Sequence, residues 1–475
     1  MILVLTIDVI VVIGLVWLTM TKGLERALPF FVFVLVFCPK ESQIAIPGVF
    51  LLTTWRVAIA TLAILYFVFG GAENQAEPLI TKTPLRILIG LHVIWCLVST
   101  ANSVSPVDSI KQVFTLAIEY YLMYYILIRS ITSMRTVHKI LAAMVIAVGI
   151  ATLFGLFEAY SSWRITQWFP VADHDFVFGP SEEGRGDRII STFSNYSLFG
   201  AAISFAVIEV FYFLQMARRR LLKLLLWTTL ILMFWVIYKT VTRGPWLALI
   251  IGAVLLLMYS PGRTRASMVV IAALCVAVFV IRPGVWQTVR DIYTGTVDTD
   301  DPGNVMAASY EYRWALWDVG ANALARDPVR KVLGYGLGTF YELHLVAEFN
   351  GNPHYAFDSC DEAWVQQMVE TGYVGLGIIA LLLLAPAALS LRNLWKVPKP
   401  HNYLIWVLFI NMIQYYFMMT NVDIYGWAQT GYMLWTWIAI SMIYVSLVKK
   451  EAVVQERAEL SPVESMPQLV GAAQY

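Results

Sequence analysis

Arg243 stands in a very short link, Thr240-Val241-Thr242-Arg243-Gly244, between two apolar segments of the sequence. A charged side chain at such a place is costly unless it faces a cavity or a partner. A guanidinium group binds phosphate through two parallel hydrogen bonds, and the threonine hydroxyls and flexible glycine could complete an anion site. The link therefore predicts a phosphate site at a membrane surface. An arginine that only snorkels to the interface is the alternative.

Two further arginines stand beside apolar segments. Arg188 ends a polar stretch that leads directly into a helix-forming segment. Arg313 and Trp317 are four residues apart, so they share one face of the helix predicted around Tyr312–Leu324. This amphipathic helix could lie along a membrane. An interfacial tryptophan needs no substrate, however, so Trp317 alone does not indicate a binding site.

Ionisable side chains gather immediately before the segment that carries Glu370. They include His354, Asp361 and Glu362, and any of the three could act as a general base. No pair of histidines has the spacing of a zinc motif, and the four cysteines lie far apart. We therefore expect neither a metal site nor a cofactor.

A glycine-rich run, Leu333-Gly334-Tyr335-Gly336-Leu337-Gly338, precedes these acids. No strand–helix–strand unit surrounds it, so a dinucleotide site is excluded. The run instead predicts a tight turn, or a close approach of backbone to a ligand.

The composition describes the elements that must position these residues. With 59% hydrophobic and 14% charged residues, the chain is too apolar for a soluble core. We predict an all-α polytopic membrane protein with about 12–13 transmembrane helices, because a span needs about 20 apolar residues. The run Leu28–Phe37 is short for a span, and Ile2–Met20 reads as a retained helix. A net charge of +1 offers nothing to nucleic acid.

Basic residues in alternate links predict the orientation of the helices. The links carrying Arg129, Arg218–Arg220, Arg392 and Lys449 would be cytoplasmic, together with the C-terminal tail. Long outer loops would then hold the chemistry. The predicted organisation is N-terminal helices (1–160), an outer loop (161–191), central helices (192–281), a large, partly helical outer loop (282–363) between the tenth and eleventh apolar segments, C-terminal helices (364–448) and a tail (449–475).

Four charged residues lie within or beside the apolar segments, namely Asp8, Arg56, Glu119 and Glu158. An interhelical pair or an interfacial position explains such charges most simply. Arg56 and Glu119 could neutralise each other.

The sequence resembles the O-antigen ligase and polymerase (WaaL/Wzy) family of bacterial membrane proteins. The matching segments lie in the expected order over 188–375. They are Arg188 with Ser191-Thr192-Phe193-Ser194-Asn195, Thr242-Arg243-Gly244, Arg313 with Gly334-Tyr335-Gly336-Leu337-Gly338, and Glu370-Thr371-Gly372-Tyr373-Val374-Gly375.

One position departs from the ligase pattern. Ligases typically carry His-Asn eleven residues before the first glycine of the last segment, whereas this chain has Asp361-Glu362 there. An aspartate at this position is more similar to the polymerising branch of the family. His354 could replace the missing base if the loop is rearranged.

The resemblance implies transfer of a glycan from undecaprenyl diphosphate to an acceptor hydroxyl, at the outer face of the bacterial inner membrane. Arg188, Arg243 and Arg313 would bind the diphosphate, with Thr242 and Glu370 in support. Asp361, Glu362 or His354 would take the proton, without a metal. A flippase and a chain-length regulator are possible partners.

Three other functions remain open. A ligase would transfer the glycan to lipid A–core and differs only in its acceptor. A transporter or flippase for lipid-linked sugars would also need buried cations, but not a long outer loop that ends in acids. An ion channel is disfavoured, since the sequence has no filter signature.

Overall fold

Helices make up most of the described chain. The computed structural model describes residues 2–45, 51–73, 83–161, 163–169, 188–240, 242–259, 269, 273, 305–349, 352–357, 360–399 and 401–460. The helices are α1 (Ile2–Lys22), α2 (Leu24–Phe37), α3 (Thr54–Glu73), α4 (Arg86–Thr100), α5 (Pro106–Leu116), α6 (Met123–Ser130), α7 (Met134–Tyr160), α8 (Tyr196–Met216), α9 (Arg220–Lys239), α10 (Gly244–Tyr259), α11 (Val305–Ala325), α12 (Pro328–Leu333), α13 (Ala363–Leu394), α14 (Asn402–Met418) and α15 (Ala428–Leu460). A π-helical segment, Ala117–Leu122, joins α5 to α6.

The described residues also contain three short 3-10 helices, Ile165–Trp168, Ser191–Phe193 and Phe340–Leu343, and two short antiparallel strand pairs. The strand pairs join β1 (Gln43–Ala45) with β2 (Leu51–Thr53), and β3 (Val346–Phe349) with β4 (Asn352–Ala356). The sequence analysis predicted neither hairpin. Because almost all other elements are helical and apolar, the predicted class, an all-α polytopic membrane protein, is confirmed.

Six helices in the described residues are long and apolar enough to cross a membrane: α1, α7, α8, α9, α13 and α15. Three shorter apolar helices accompany them, namely α3, α4 and α10. Within the central helices predicted over 192–281, the apolar stretch Met268–Ile281 lies outside the described residues except at positions 269 and 273. The total of 12–13 spans therefore stays a prediction. α15 continues beyond the expected end of its span at Val448.

At one end of the bundle, links from distant parts of the sequence meet. The side-chain amide of Gln429 donates to the carbonyls of Cys38 and Thr192, both at 3.0 Å. The backbone N–H of Ala363 donates to the carbonyl of Met419 at 2.9 Å. We call this the site end, and its described parts are 38–45, 51–53, 188–195, 240, 242–243, 305–349, 352–357, 360–362 and 419–427.

The opposite end gathers the described basic links. The Glu25 carboxylate at the start of α2 accepts a hydrogen bond from the hydroxyl of Ser133, at 2.8 Å, in the α6–α7 link. Gln215, near the end of α8, donates to the Tyr403 hydroxyl in the first turn of α14 at 2.6 Å. The links that carry Arg218–Arg220 and Lys399 therefore lie together, away from the site end. Their assignment to the cytoplasm stays a prediction.

The short run Leu28–Phe37 belongs to a buried helix. Leu28, Phe31 and Leu35 of α2 are fully buried, packed mainly against α7. The 14 residues of α2 rise only about 21 Å. The helix nevertheless connects the α6–α7 link at one end with the Gln429 amide at the other.

The charges within the apolar segments have local partners. Arg56 Nε pairs with Glu119 Oε1 at 2.7 Å, which confirms the predicted neutralisation. The Asp8 carboxylate accepts a hydrogen bond from a threonine hydroxyl of α3 at 2.7 Å. Glu158 pairs with Arg164 at 3.1 Å. These four charges therefore hold helices and links together.

A smaller apolar core fixes α11 at the site end. Leu316 and Val319 of α11 are buried against Val365 and Met368 of α13. A Cβ built on Gly320 of α11 would lie 2.9 Å from a methyl group of Val369 on α13, so the two helices are in close contact. The described part of the large outer loop is thus partly helical and attached to α13.

The glycine-rich run forms the tight turn that the sequence predicts, and it docks on α13. Gly372 has φ +71° and interrupts α13, which frees the carbonyls before it. The Gly336 N–H donates to the Glu370 carbonyl at 2.8 Å. A Cβ at Gly334 would lie 2.4 Å from that carbonyl oxygen, and one at Gly372 would lie 2.2 Å from the Val332 oxygen.

We predict that Gly372→Ala destabilises the protein, because a side chain there would collide with backbone at a positive φ. Strain of this kind costs roughly 1–3 kcal/mol before the collision is counted. Thermal unfolding of the purified chain measures the change. Gly377→Ala is the matched control, since its Cβ would meet nothing within 4 Å. Equal melting temperatures for the two variants would contradict the prediction.

Candidate functional site

Arg313 is the central cation of the site end. It lies on α11, and its Nη2 donates to the carbonyl of Asn421 in the α14–α15 link at 3.1 Å. The burial of Leu316 and Val319 against α13 fixes the helix that carries this arginine. Its side chain is half-buried, which strengthens its attraction for an anion.

Glu362 is a buried acid of the site end. It is 5% exposed, occupies the N-cap position of α13 without a side-chain capping hydrogen bond, and accepts a hydrogen bond from Trp317. Burial raises the pKa of its carboxyl to about 7, while the nearby charge of Arg313 and the hydrogen bond from Trp317 act against that rise. Arg313 and Trp317 thus face the acids from one side of α11, as their spacing predicted.

Asp361 lies beside Glu362 but keeps its side chain accessible. The surrounding protein displaces water and raises the pKa of its carboxyl, and the Arg313 charge partly offsets this. The structure therefore joins Arg313, Asp361 and Glu362 into one group. Asp361 is accessible enough to contact a substrate, whereas Glu362 is buried and hydrogen-bonded to Trp317.

Arg243 adjoins this group through the α14–α15 link. The next residue, Gly244, packs so tightly that a Cβ there would lie 3.3 Å from the Cβ of Asn421. The start of α10, next to Arg243, therefore packs against the residue whose carbonyl Arg313 binds. The predicted partner Thr242 is buried, with its hydroxyl 2.9 Å from that of Thr240, so it stabilises the link itself.

Arg188 lies in another link of the site end. Its guanidinium stacks over the ring of Tyr196, 4.3 Å from the ring centre. A few residues on, the Ser194 hydroxyl donates to the Glu41 carboxylate at 2.6 Å. This link is therefore tied to the one that follows α2, on the same end of the bundle as the other two arginines.

Glu370 supports the glycine turn. It is 1% exposed, and its carboxylate accepts hydrogen bonds from the Phe340 N–H at 3.3 Å and from the Gln366 side chain at 3.1 Å. With its carbonyl bound to Gly336, Glu370 holds both sides of the turn. Its described contacts are thus structural.

His354 lies on β4 with an exposed side chain, and its backbone N–H donates to Asn352 Oδ1 at 2.9 Å. Within the described part of the chain, no hydrogen bond or ion pair joins it to Asp361 or Glu362. Its role as a base stays a prediction.

Two charged residues of the site were missed by the sequence analysis. Asp423 accepts a hydrogen bond from the Gly426 N–H at 3.0 Å. Burial raises the pKa of its carboxyl to about 6, with Lys40 opposing the rise and Asp361 adding to it. Lys40 lies after α2, with its Nζ 4.3 Å above the ring of Trp427. The sequence shows each of them as a charge in a short link between apolar segments. That Lys40 and Asp423 lie near each other is visible only in the fold.

The described residues contain no cluster of three or more histidine, cysteine or acidic side chains suited to a metal ion. The groups that meet are guanidinium, ammonium and carboxylate. Such a set can bind an anion, stabilise developing negative charge and accept a proton.

Comparison with known proteins gives one family. Residues 228–380 match the family model described as O-Antigen ligase. The matched segment runs from α9 into α13 and contains Arg243, Arg313 and Asp361. The predicted resemblance is thereby confirmed. No curated protein matches the chain.

Proposed function

We propose that this chain, whose residues 228–380 match the O-Antigen ligase family model, is a polysaccharide polymerase. It transfers a glycan from undecaprenyl diphosphate to a sugar hydroxyl at the outer face of the inner membrane. The observation that carries this proposal is the convergence of Arg313, Asp361 and Glu362, with Arg243 across the Asn421 link.

The transfer step forms one bond and breaks one. The acceptor hydroxyl oxygen attacks the anomeric carbon of the donor sugar, and the bond from that carbon to the diphosphate oxygen breaks. The bonding pair leaves with undecaprenyl diphosphate, while the hydroxyl proton passes to the Asp361 carboxylate. Asp361 suits this role because its side chain is accessible and its pKa is raised toward neutrality.

The arginines stabilise the leaving group. Negative charge grows on the diphosphate as the bond breaks, and Arg313 and Arg243 would contact it. Arg313 binds the Asn421 carbonyl, and Arg243 precedes the glycine that packs against Asn421. Arg188 would extend the binding surface along the headgroup. Glu362 holds Trp317 and attracts Arg313, so it positions these groups. No step of this scheme requires a metal ion.

The choice of polymerase over ligase rests on the acceptor side. Asp361-Glu362 occupies the place of the His-Asn pair typical of ligases. A ligase that uses lipid A–core as acceptor is the second candidate, since the donor side would be the same.

The separation of the site end from the basic links supports an outward-facing site by the positive-inside rule. A flippase would supply the donor, and a chain-length regulator could act on the product.

Reconstitution with one substrate tests the proposal. The purified chain in liposomes receives its undecaprenyl diphosphate-linked repeat unit alone, and gel electrophoresis reads the products. We expect a ladder of lengthening glycans. A product that forms only after lipid A–core is added would identify a ligase. Relocation of the donor without a new bond would favour a transporter.

Two variants in the same assay test the base. Asp361→Asn is expected to lower the transfer rate about 10²–10⁴-fold, the usual contribution of a general base. His354→Ala should retain the ladder, because His354 is exposed and its described hydrogen bond is a backbone contact within its own hairpin. The reverse result would assign the base to His354.

The rate of transfer should fall as pH falls through about 7, where Glu362 titrates. Its raised pKa means that the carboxyl is charged above this pH and neutral below it. The neutral form no longer attracts Arg313. Rates measured from pH 5.5 to 8.5, a range chosen to bracket that pKa at about 7, provide the test. Glu362→Gln should be slower and lose this component, so an unchanged profile in the variant would contradict the assignment.

A further inference from the structure

A polar cluster lies in the interior of the bundle, away from the site end. It comprises Glu209 of α8, Asn411 and Gln414 of α14, and Trp437 of α15, and all four are fully buried. α8 and α15 are long and apolar enough to span a membrane. An ionisable residue at such depth is costly and commonly indicates a function. The proposed transfer reaction uses none of these side chains.

In Glu209, Asn411 and Gln414, one of the two polar side-chain atoms makes hydrogen bonds. Glu209 Oε1 accepts from Trp437 Nε1 at 2.7 Å and from Asn411 Nδ2 at 3.2 Å. Gln414 Nε2 donates to the carbonyl of Ala248, on α10, at 2.8 Å. The cluster therefore joins four helices.

These bonds determine the orientation of both amides. The nitrogen of Asn411 faces a carboxylate, and that of Gln414 faces a carbonyl. Turning either amide by half a rotation would set oxygen against oxygen, so the nitrogen positions follow from the partners. The oxygens Asn411 Oδ1 and Gln414 Oε1 must then point elsewhere.

Three buried acceptors result. Glu209 Oε2, Asn411 Oδ1 and Gln414 Oε1 accept no hydrogen bond from any described residue. Asn411 and Gln414 are three residues apart on one face of α14, and Asn411 contacts Glu209 directly. Buried polar atoms of this kind normally have partners. The cluster therefore has an excess of oxygen acceptors and one carboxylate.

The charge balance favours a cation. The ion pairs among the described residues involve carboxylates other than Glu209. A proton on Oε2 would pair with one amide oxygen and leave the second unpaired. Carboxylate and amide oxygens are ligands for hard cations, so a metal ion is a partner that suits an excess of acceptors. One carboxylate balances a single positive charge.

We propose that Glu209, Asn411 and Gln414 form a buried site for a monovalent metal cation, with Na⁺ as the fitting ion. The bound ion links α8 to α14, whose far end leads into the Asn421 link. Its role is to stabilise the bundle beneath the site end. The proposal stands independently of the polymerase assignment.

Retention of ²²Na⁺ by the purified full-length chain in detergent tests the site directly. We expect one retained ion per chain, displaced by unlabelled NaCl but not by choline chloride. Glu209→Gln should abolish retention. Asp8→Asn, which removes another buried carboxylate, should preserve it. No retention by the wild-type chain, or full retention by Glu209→Gln, would overturn the proposal.

Thermal unfolding supplies a second readout. In NaCl, compared with choline chloride at equal ionic strength, the melting temperature of the wild-type chain should rise by a few degrees and saturate. Gln414→Met removes one oxygen ligand and keeps the Glu209 carboxylate, so the rise should shrink and require more Na⁺. Equal melting temperatures of the wild-type chain in the two salts would instead indicate a protonated Glu209.

Discussion

The backbone contact between the glycine turn and the interrupted start of α13 is the constraint on which the site depends. The break at Gly372 frees the carbonyls of Val369 and Glu370, and these accept the N–H groups of Tyr335 and Gly336. No side chain fits between the two segments. Because α11 and α12 lead into this turn, the contact fixes the helix that carries Arg313. Gly334, Gly336 and Gly372 thus have a packing role, and they act on the site by fixing the helix that carries Arg313.

The charged side chains of the site end influence one another's protonation. Burial raises the pKa of the carboxyls of Asp361, Glu362 and Asp423, and the charge of Asp361 adds to the rise for the other two. Arg313 opposes the rise at Asp361 and Glu362, and Lys40 opposes it at Asp423, but the pKa of each acid stays raised. A raised pKa makes a carboxylate a better proton acceptor, and arginines beside it attract phosphate. Both requirements of the proposed transfer therefore come from the same burial.

The sequence predicted the parts of the fold that depend on local pattern or on the cost of a buried charge. The helix around Tyr312–Leu324, the glycine turn and the Arg56–Glu119 pair are of this kind, and the structure contains all three. Contacts between links that are distant in sequence, such as those at the site end, depend on how the helices pack, and no local pattern in a single sequence indicates them. Lys40 and Asp423 were missed for that reason.

The role of Glu370 shows the same limit. Its type and its place near the acids suggested support for the substrate site, whereas its contacts lie within the glycine turn. The turn needs a buried acceptor for the Phe340 N–H, and this need is visible only once the turn is docked. His354 is likewise near the acids in sequence but belongs to an exposed hairpin.

The central claim is that Arg313 binds the diphosphate of the lipid carrier. Titration of the purified chain with undecaprenyl diphosphate, followed by native mass spectrometry, measures this without any transfer reaction. We predict saturable binding that Arg313→Lys weakens at least about tenfold, because lysine keeps the charge but loses the two-pronged contact. Arg392→Lys, at the opposite end of the bundle, should bind as the wild-type chain does. Equal affinity of the wild-type and Arg313→Lys chains, both folded, would contradict the account.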